Sequence, residues 1–190
     1  KRQVLAQAES LFNQDVAGTQ VLRPEIRDGV IYAVGMGADA ARHARLLERL
    51  LSANSEEDRW RYAEAVAAVK DIALAQQVLE LSLRGVLPSN IASRLPILVS
   101  EHTHHSALAY QFVLDHFDAL AKLSGEMFGA SAWLLPATAS SFNTEDRAKQ
   151  LLSDQQKKLG DKGANAAAQI AAQISLKAAI RQREPAPLAP

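Results

Sequence analysis

Ser55-Glu56-Glu57-Asp58-Arg59-Trp60-Arg61-Tyr62-Ala63-Glu64-Ala65-Val66-Ala67-Ala68-Val69-Lys70-Asp71-Ile72-Ala73-Leu74-Ala75-Gln76-Gln77-Val78-Leu79 holds the start, stop and restart signals that decide the fold. Ser55 is a capping residue, and the three acidic residues behind it suit the positive end of a helix dipole. The helix then runs through Trp60 to Val69. Asp71 restarts it, and Ile72, Ala75, Val78, Leu79 and Leu83 recur at helical spacing until Gly85 ends the segment. Two short helices separated by a cap residue, with no β-branched run, predict an antiparallel hairpin.

The same punctuation extends in both directions. Upstream, the spacing predicts helices over about Arg2 to Asn13, before a turn at Ala17-Gly18-Thr19, and from Pro24 through Val34, with Gly35-Met36-Gly37 as a terminator. Asp39 opens a third, whose apolar set Ala40, Ala44, Leu47, Leu50 and Leu51 is expected to face the core while Arg42, Arg45, Glu48 and Arg49 face water. Downstream, Pro88-Ser89-Asn90 begins a helix around Ile91, Leu95, Leu98 and Val99, and Pro96 inside it marks a kink or the junction of two pieces. Further helices are expected over Ser106 to Phe117, Asp118 to Phe128 and Ser131 to Ser140, the last interrupted by Pro136. Asn143-Thr144-Glu145-Asp146 caps another, and Gly160 and Gly163 separate it from a long Ala/Gln-rich helix. The pattern predicts an all-α fold of about ten or eleven short helices, a superhelical stack of antiparallel pairs of the HEAT or armadillo kind. Residues 1–184 form the single repeat-like domain of this reading, a fragment of a longer chain, and Pro185 to Pro190 a Pro-rich disordered tail.

Composition excludes several functions. Lys plus Arg and Asp plus Glu stand at 21 each, so no basic face for nucleic acid or anionic lipid is implied. No apolar run approaches the ~20 residues of a membrane span. The lack of cysteine removes disulfides, thiol catalysis and thiolate metal sites, and leaves cytoplasm and periplasm both open.

Chemistry-bearing motifs are sparse. Glu101-His102-Thr103-His104-His105 gathers three of the five histidines. His104 and His105 are adjacent and diverge by about 100° on a helix, and only His102 and His105, three apart, could chelate. The bland alternative is a polar turn and helix start with Thr103 as its cap. No G-x-S-x-G, G-x-G-x-x-G or P-loop occurs. Trp60, Trp133, Phe112, Phe117 and Phe128 read as core, and Arg59, Arg61, Arg84 and Arg94 as solvated faces. No catalytic, cofactor-binding or metal-ligating residue is therefore assigned.

Asp58 to Leu79 resembles a paired helix in the C-terminal domain of zinc aminopeptidases of the aminopeptidase N, puromycin-sensitive and endoplasmic reticulum aminopeptidase family. Val86-Leu87-Pro88-Ser89-Asn90, the apolar helix to Val99, and Ala107 to Leu120 are similar too, as are Phe142-Asn143-Thr144-Glu145, Leu151-Leu152 and the closing Ala/Gln helix. The likeness runs from about Leu22 to Glu184 as an order of elements. Tyr110 stands where the family commonly has Trp, His116-Phe117-Asp118 where it has an Asn-Trp-Asp-like step, and the His-rich turn replaces an Asn and Arg/Gly-containing loop. The family's H-E-x-x-H and G-x-M-E-N motifs are not in this chain. The resemblance implies a part without activity of its own, beside a parent catalytic domain that binds zinc, with that domain and peptide substrates as partners. It would cap the active-site chamber and restrict or position peptides. The competing expectations are a freestanding HEAT-like scaffold for a protein or peptide, and a metalloprotein centred on His102 and His105.

Overall fold

A computed structural model describes residues 2–125 and 127–183. The side chains of Arg2, Met127, Phe128, Gly129 and Arg183, the whole of Glu126, and the expected tail 185–190 lie outside the description. The helices are α1 (Arg2–Val16), α2 (Pro24–Met36), α3 (Ala40–Ser52), α4 (Glu56–Ala67), α5 (Ile72–Leu81), α6 (Ser89–Ala92), α7 (Leu95–His102), α8 (Ser106–Asp115) and α9 (Phe117–Ser124). A 3-10 helix, η1 (Met127–Trp133), leads to α10 (Leu134–Ala139), α11 (Glu145–Leu159) and α12 (Ala164–Arg183). The described residues contain no strand.

Asp39, Ser55 and Asp71 cap their helices as the sequence predicts. Asp39 accepts from the Arg42 amide at 2.9 Å, Ser55 from Asp58 at 3.0 Å, and Asp71 from Ala73 and Leu74 at 2.8 and 3.0 Å. Each such cap contributes about 1 kcal/mol. Thr144 occupies the corresponding position before α11 but makes no side-chain cap bond. Pro96 sits in the first turn of α7, where its missing N–H costs nothing, so two pieces meet there. The helix expected over Ser106 to Phe117 ends at Asp115, and the one expected to reach Phe128 stops at Ser124 before Gly125.

Packing arranges the helices in two layers. Along one, α2, α4, α7, α10 and α12 contact each other in succession. Their partners lie behind: α1 on α2, α3 on α4, α5 and α8 on α7, and α11 on α12. This is the stacked-hairpin, α-solenoid-like arrangement the sequence predicts. At its centre α4 buries Tyr62, Ala63, Ala65, Val66 and Ala67, and the residues just beyond it, Ala68 and Val69, are buried as well. A helix covered on nearly all sides shows little amphipathic pattern, and alanines let its neighbours approach closely. α2 comes closest: a Cβ placed on Gly35 would lie 2.0 Å from the Ala65 carbonyl oxygen. Gly35 is thus a helix contact, and the helix ends beyond it at Met36.

Two faces differ from expectation. In α3 the buried side chains are His43, Leu46 and Leu50, while Ala40, Ala44 and Leu51 are exposed. The reason lies in α1, which receives the arginines expected in water. Arg42 pairs with Glu9 at 2.6 Å, Arg45 donates to Asn13 at 3.0 Å, and Arg49 to the Val16 carbonyl at 3.3 Å. In α5, Ile72 is exposed and Leu74 and Leu81 are buried instead.

Candidate functional site on the front helix layer

The histidine cluster does not come together. His102, at the end of α7, hydrogen-bonds through Nδ1 to the Tyr32 hydroxyl of α2 at 3.1 Å, with the two rings edge-on at 5.2 Å. His105 Nε2 donates to the Lys70 carbonyl at 2.8 Å, and His104 is exposed. Thr103 shapes the turn between α7 and α8. Its hydroxyl donates to the Val99 carbonyl at 2.6 Å and accepts from the His105 amide at 3.0 Å. His102 and His105, the pair at chelating spacing, are each committed to a different element, so the residues do not fit a zinc centre. Among the described residues no group of three His, Asp or Glu side chains could hold a metal ion.

Charge is organised on the α2 and α4 end of the layer. Arg61, expected on a solvated face, is largely buried and joins Asp28 of α2 to Asp58 and Glu57 of its own helix, the last at 2.7 Å. Burial works against the guanidinium charge, and hydrogen bonds to Asp28 and Glu57 outweigh it, holding its pKa above the usual range. The pairing needs residues about 33 positions apart, a separation no local pattern announces. Tyr32 lies in the same region, where burial, then the Glu64 carboxylate, pushes its hydroxyl pKa up.

Farther along the layer, α6, α7, α9, η1 and α10 enclose a cleft of about 420 Å³. Ile97 and Leu134 form a buried apolar floor, Asn90, Ser93, Arg94 and Ser124 supply a polar rim, and Trp133 stands at its edge. Trp133 is 48 % exposed, which corrects its reading as core. Its position follows from η1: the tighter helix ends at Trp133 and α10 starts at the next residue, directing Leu134 and Leu135 inward. Phe117 is buried as expected, whereas Trp60 and Phe112 are partly buried against the core. An apolar floor with a polar rim and an exposed indole can take an apolar side chain of an extended segment while its backbone is hydrogen-bonded. That Trp133 and Arg94 line one cleft was not readable from sequence, because it depends on how α6 and η1 each meet α9.

A second, polar hollow of about 370 Å³ lies between the α7–α8 turn and the start of α11, lined by Glu101, His104, Asn143, Thr144 and Arg147 among others. Arg147 stacks over Phe142 with its guanidinium 4.8 Å from the ring centroid. Neither hollow contains a nucleophile hydrogen-bonded to a base. The buried hydroxyls are spent on backbone: Ser100 donates to the Thr138 carbonyl at 2.5 Å and Ser82 to that of Leu79 at 2.5 Å.

No helix among the described residues is long and apolar enough to cross a membrane. A search of individually curated proteins gives no match. The family described as ERAP1-like C-terminal domain matches residues 1–175, from α1 to within α12. That span includes the stacked hairpins, the α2–α4 ion pairs and the Trp133 cleft, and the chain belongs to this family, a domain of aminopeptidases.

Proposed function

We propose that this chain is the non-catalytic C-terminal domain of a zinc aminopeptidase, where it walls the space above the active site and restricts or positions peptide substrates. Membership of the ERAP1-like C-terminal domain family carries the reading. The solenoid-like stack supports it, since stacked helix pairs present extended binding surfaces. The chemistry belongs to the parent: zinc held in its catalytic domain would supply the attacking water. What this chain would contribute is a surface, and the Trp133 cleft is the place on it built to hold part of a peptide.

Two measurements test this. The purified 190-residue chain is expected to hydrolyse no aminoacyl anilide and to bind no stoichiometric zinc. Zinc-dependent turnover by the chain alone would sink the proposal. In the complete enzyme, Trp133→Ala is expected to raise KM for long peptides several-fold while leaving kcat/KM for a single-residue anilide unchanged. An equal effect on both substrates would remove the cleft from substrate handling.

A further inference from the structure

The polar hollow between the α7–α8 turn and the start of α11 shares no lining residue with the Trp133 cleft. Elsewhere Arg27, Arg42, Arg61 and Arg84 each pair with a carboxylate. Glu101 and Arg147 line the same hollow, yet among the described residues neither forms an ion pair. Each also stands at the unfavourable end of its helix. Glu101 is in the last turn of α7, where the helix dipole disfavours a carboxylate, and Arg147 is in the first turn of α11, where it disfavours a cation. Helix stability is a reason for neither charge.

Arg147 is nevertheless held in place. Its guanidinium lies over the Phe142 ring, and one terminal nitrogen donates to the Gln150 side chain at 2.6 Å. The rest of the fork has no protein acceptor among the described residues. Beside it the Thr144 hydroxyl lines the hollow and caps nothing. The lining thus offers one carboxylate and one fixed guanidinium, set against opposite helix ends. A dianion entering there meets Glu101, and a dication meets Arg147. A molecule carrying both charges is complementary to both walls: its ammonium lies at Glu101 and the α7 carbonyl end, its carboxylate at Arg147.

We propose that this hollow binds a free α-amino acid as its zwitterion, with Glu101 holding the ammonium and Arg147 the carboxylate. The lining hydroxyls of Ser141 and Thr144 suit a short polar side chain. A free amino acid is also what an aminopeptidase releases, so on the function proposed for the parent the hollow is a product site. That consequence rests on the parent's activity; the binding does not, and is read without it.

The chain closes both of its hydrophobic cores within itself, so it is titrated as purified, with amide chemical shifts as the readout. The probes are L-serine, N-acetyl-L-serine, L-serinamide and inorganic phosphate. L-Serine is expected to shift amides in both 101–106 and 141–147 along one saturable curve. Each singly blocked form should bind about tenfold more weakly, since each loses one charge-assisted contact. Phosphate should move neither segment. Glu101→Gln is expected to weaken L-serine about tenfold and leave N-acetyl-L-serine unchanged; Arg147→Lys, which keeps a cation but loses the fork, should weaken L-serine and leave L-serinamide unchanged. Exposed Glu101 carries the test if Arg147→Lys disturbs the fold. No saturable shift with L-serine, equal binding of the blocked forms or of phosphate, shifts confined to one segment, or a Glu101→Gln chain that still prefers L-serine to its N-acetyl form would each overturn the proposal.

Discussion

The chain holds two hydrophobic cores that solve the same packing problem with different residues. The core of α1 to α7 is mostly aliphatic, built on Ile31, Leu46, Leu50, Leu79 and Leu95 around the alanines of α4, with Phe12 and Tyr62 as its buried rings. The core of α8 to α12 is aromatic at one end, with Tyr110 edge-on to Phe142 at 5.3 Å and Phe117 nearby. It is alanine-lined at the other, along α12. α8 joins them: Ala109 belongs to the first, while Tyr110 and Val113 belong to the second. The first core gains density where α2 and α4 bring their backbones together at Gly35, while the second sets its rings edge-on, Tyr110 against Phe142. Each also has one crowded glycine, and the two are crowded for different reasons.

Replacing Gly35 should have the largest effect, because its missing Cβ faces backbone that cannot swing aside. Gly35→Ala is expected to cost about 3 kcal/mol through displacement of α2 from α4. Native-state hydrogen exchange should show protection falling in α2 and α4 well before α11 and α12. Uniform loss across both halves would show that the cores unfold as one unit. Gly163 in the second half combines a positive φ of 74° with crowding from the Gln155 amide, the Ala132 Cβ and, at 3.0 Å, the Ala132 carbonyl oxygen. Gly163→Ala is expected to cost about 2 kcal/mol, read as a shift in denaturation midpoint, because the Gln155 amide can partly yield. If it costs more than Gly35→Ala, turn conformation outweighs helix approach as the tighter constraint.

How far these features were legible follows from how local their causes are. Asp39, Ser55 and Asp71 announced their helices because a cap is made within three residues. Pro96 marked a junction for the same reason. The face of α3 was misread by about one residue because its arginines bind α1, and a helical wheel assigns arginine to water. Ile72 was expected inside because its spacing fits, yet as the first residue of α5 it stands 59 % exposed, and spacing alone does not say where a neighbouring helix covers a helix end. Gly35 looked like a terminator, since a close helix approach leaves no trace in the sequence beyond the glycine itself. At the candidate site the outcome was poorer still. Arg61 and Trp133 exchanged their expected environments, one becoming buried among carboxylates of two helices and the other standing half exposed beside a cleft. Both are results of tertiary contact.

Tyr110 offers a smaller test in the aromatic half. Its hydroxyl donates to Asp154 at 3.1 Å, and burial, with the Asp154 carboxylate after it, drives its pKa well above the ordinary tyrosine value. Tyr110→Phe keeps the ring against Phe142 and removes the donor, so about 1 kcal/mol should be lost in denaturant unfolding. A cost near zero would mean that Asp154, itself beside Lys157 at 3.8 Å, is satisfied without it.

The last test distinguishes the halves by pH, and near neutral pH its effect is the smallest. His43, buried in the first core, donates from Nε2 to the Val66 carbonyl at 3.3 Å. Burial lowers its pKa below 6.5, against smaller opposing effects of the Val66 bond and Asp71. The unfolded chain therefore binds a proton at about pH 6.5 that the folded chain resists. The contribution of neutral His43 is fully present above that pH and declines as pH falls toward the folded pKa, by at most about 1.4 kcal/mol per pH unit. His43→Gln keeps an amide donor in roughly the same place and does not titrate. Urea midpoints from pH 8 to 5 should fall more steeply for the native chain than for His43→Gln, and exchange protection should weaken first in α3 and α4. Parallel pH profiles for the two proteins would show that the first core tolerates the imidazolium, and that its acid sensitivity arises elsewhere.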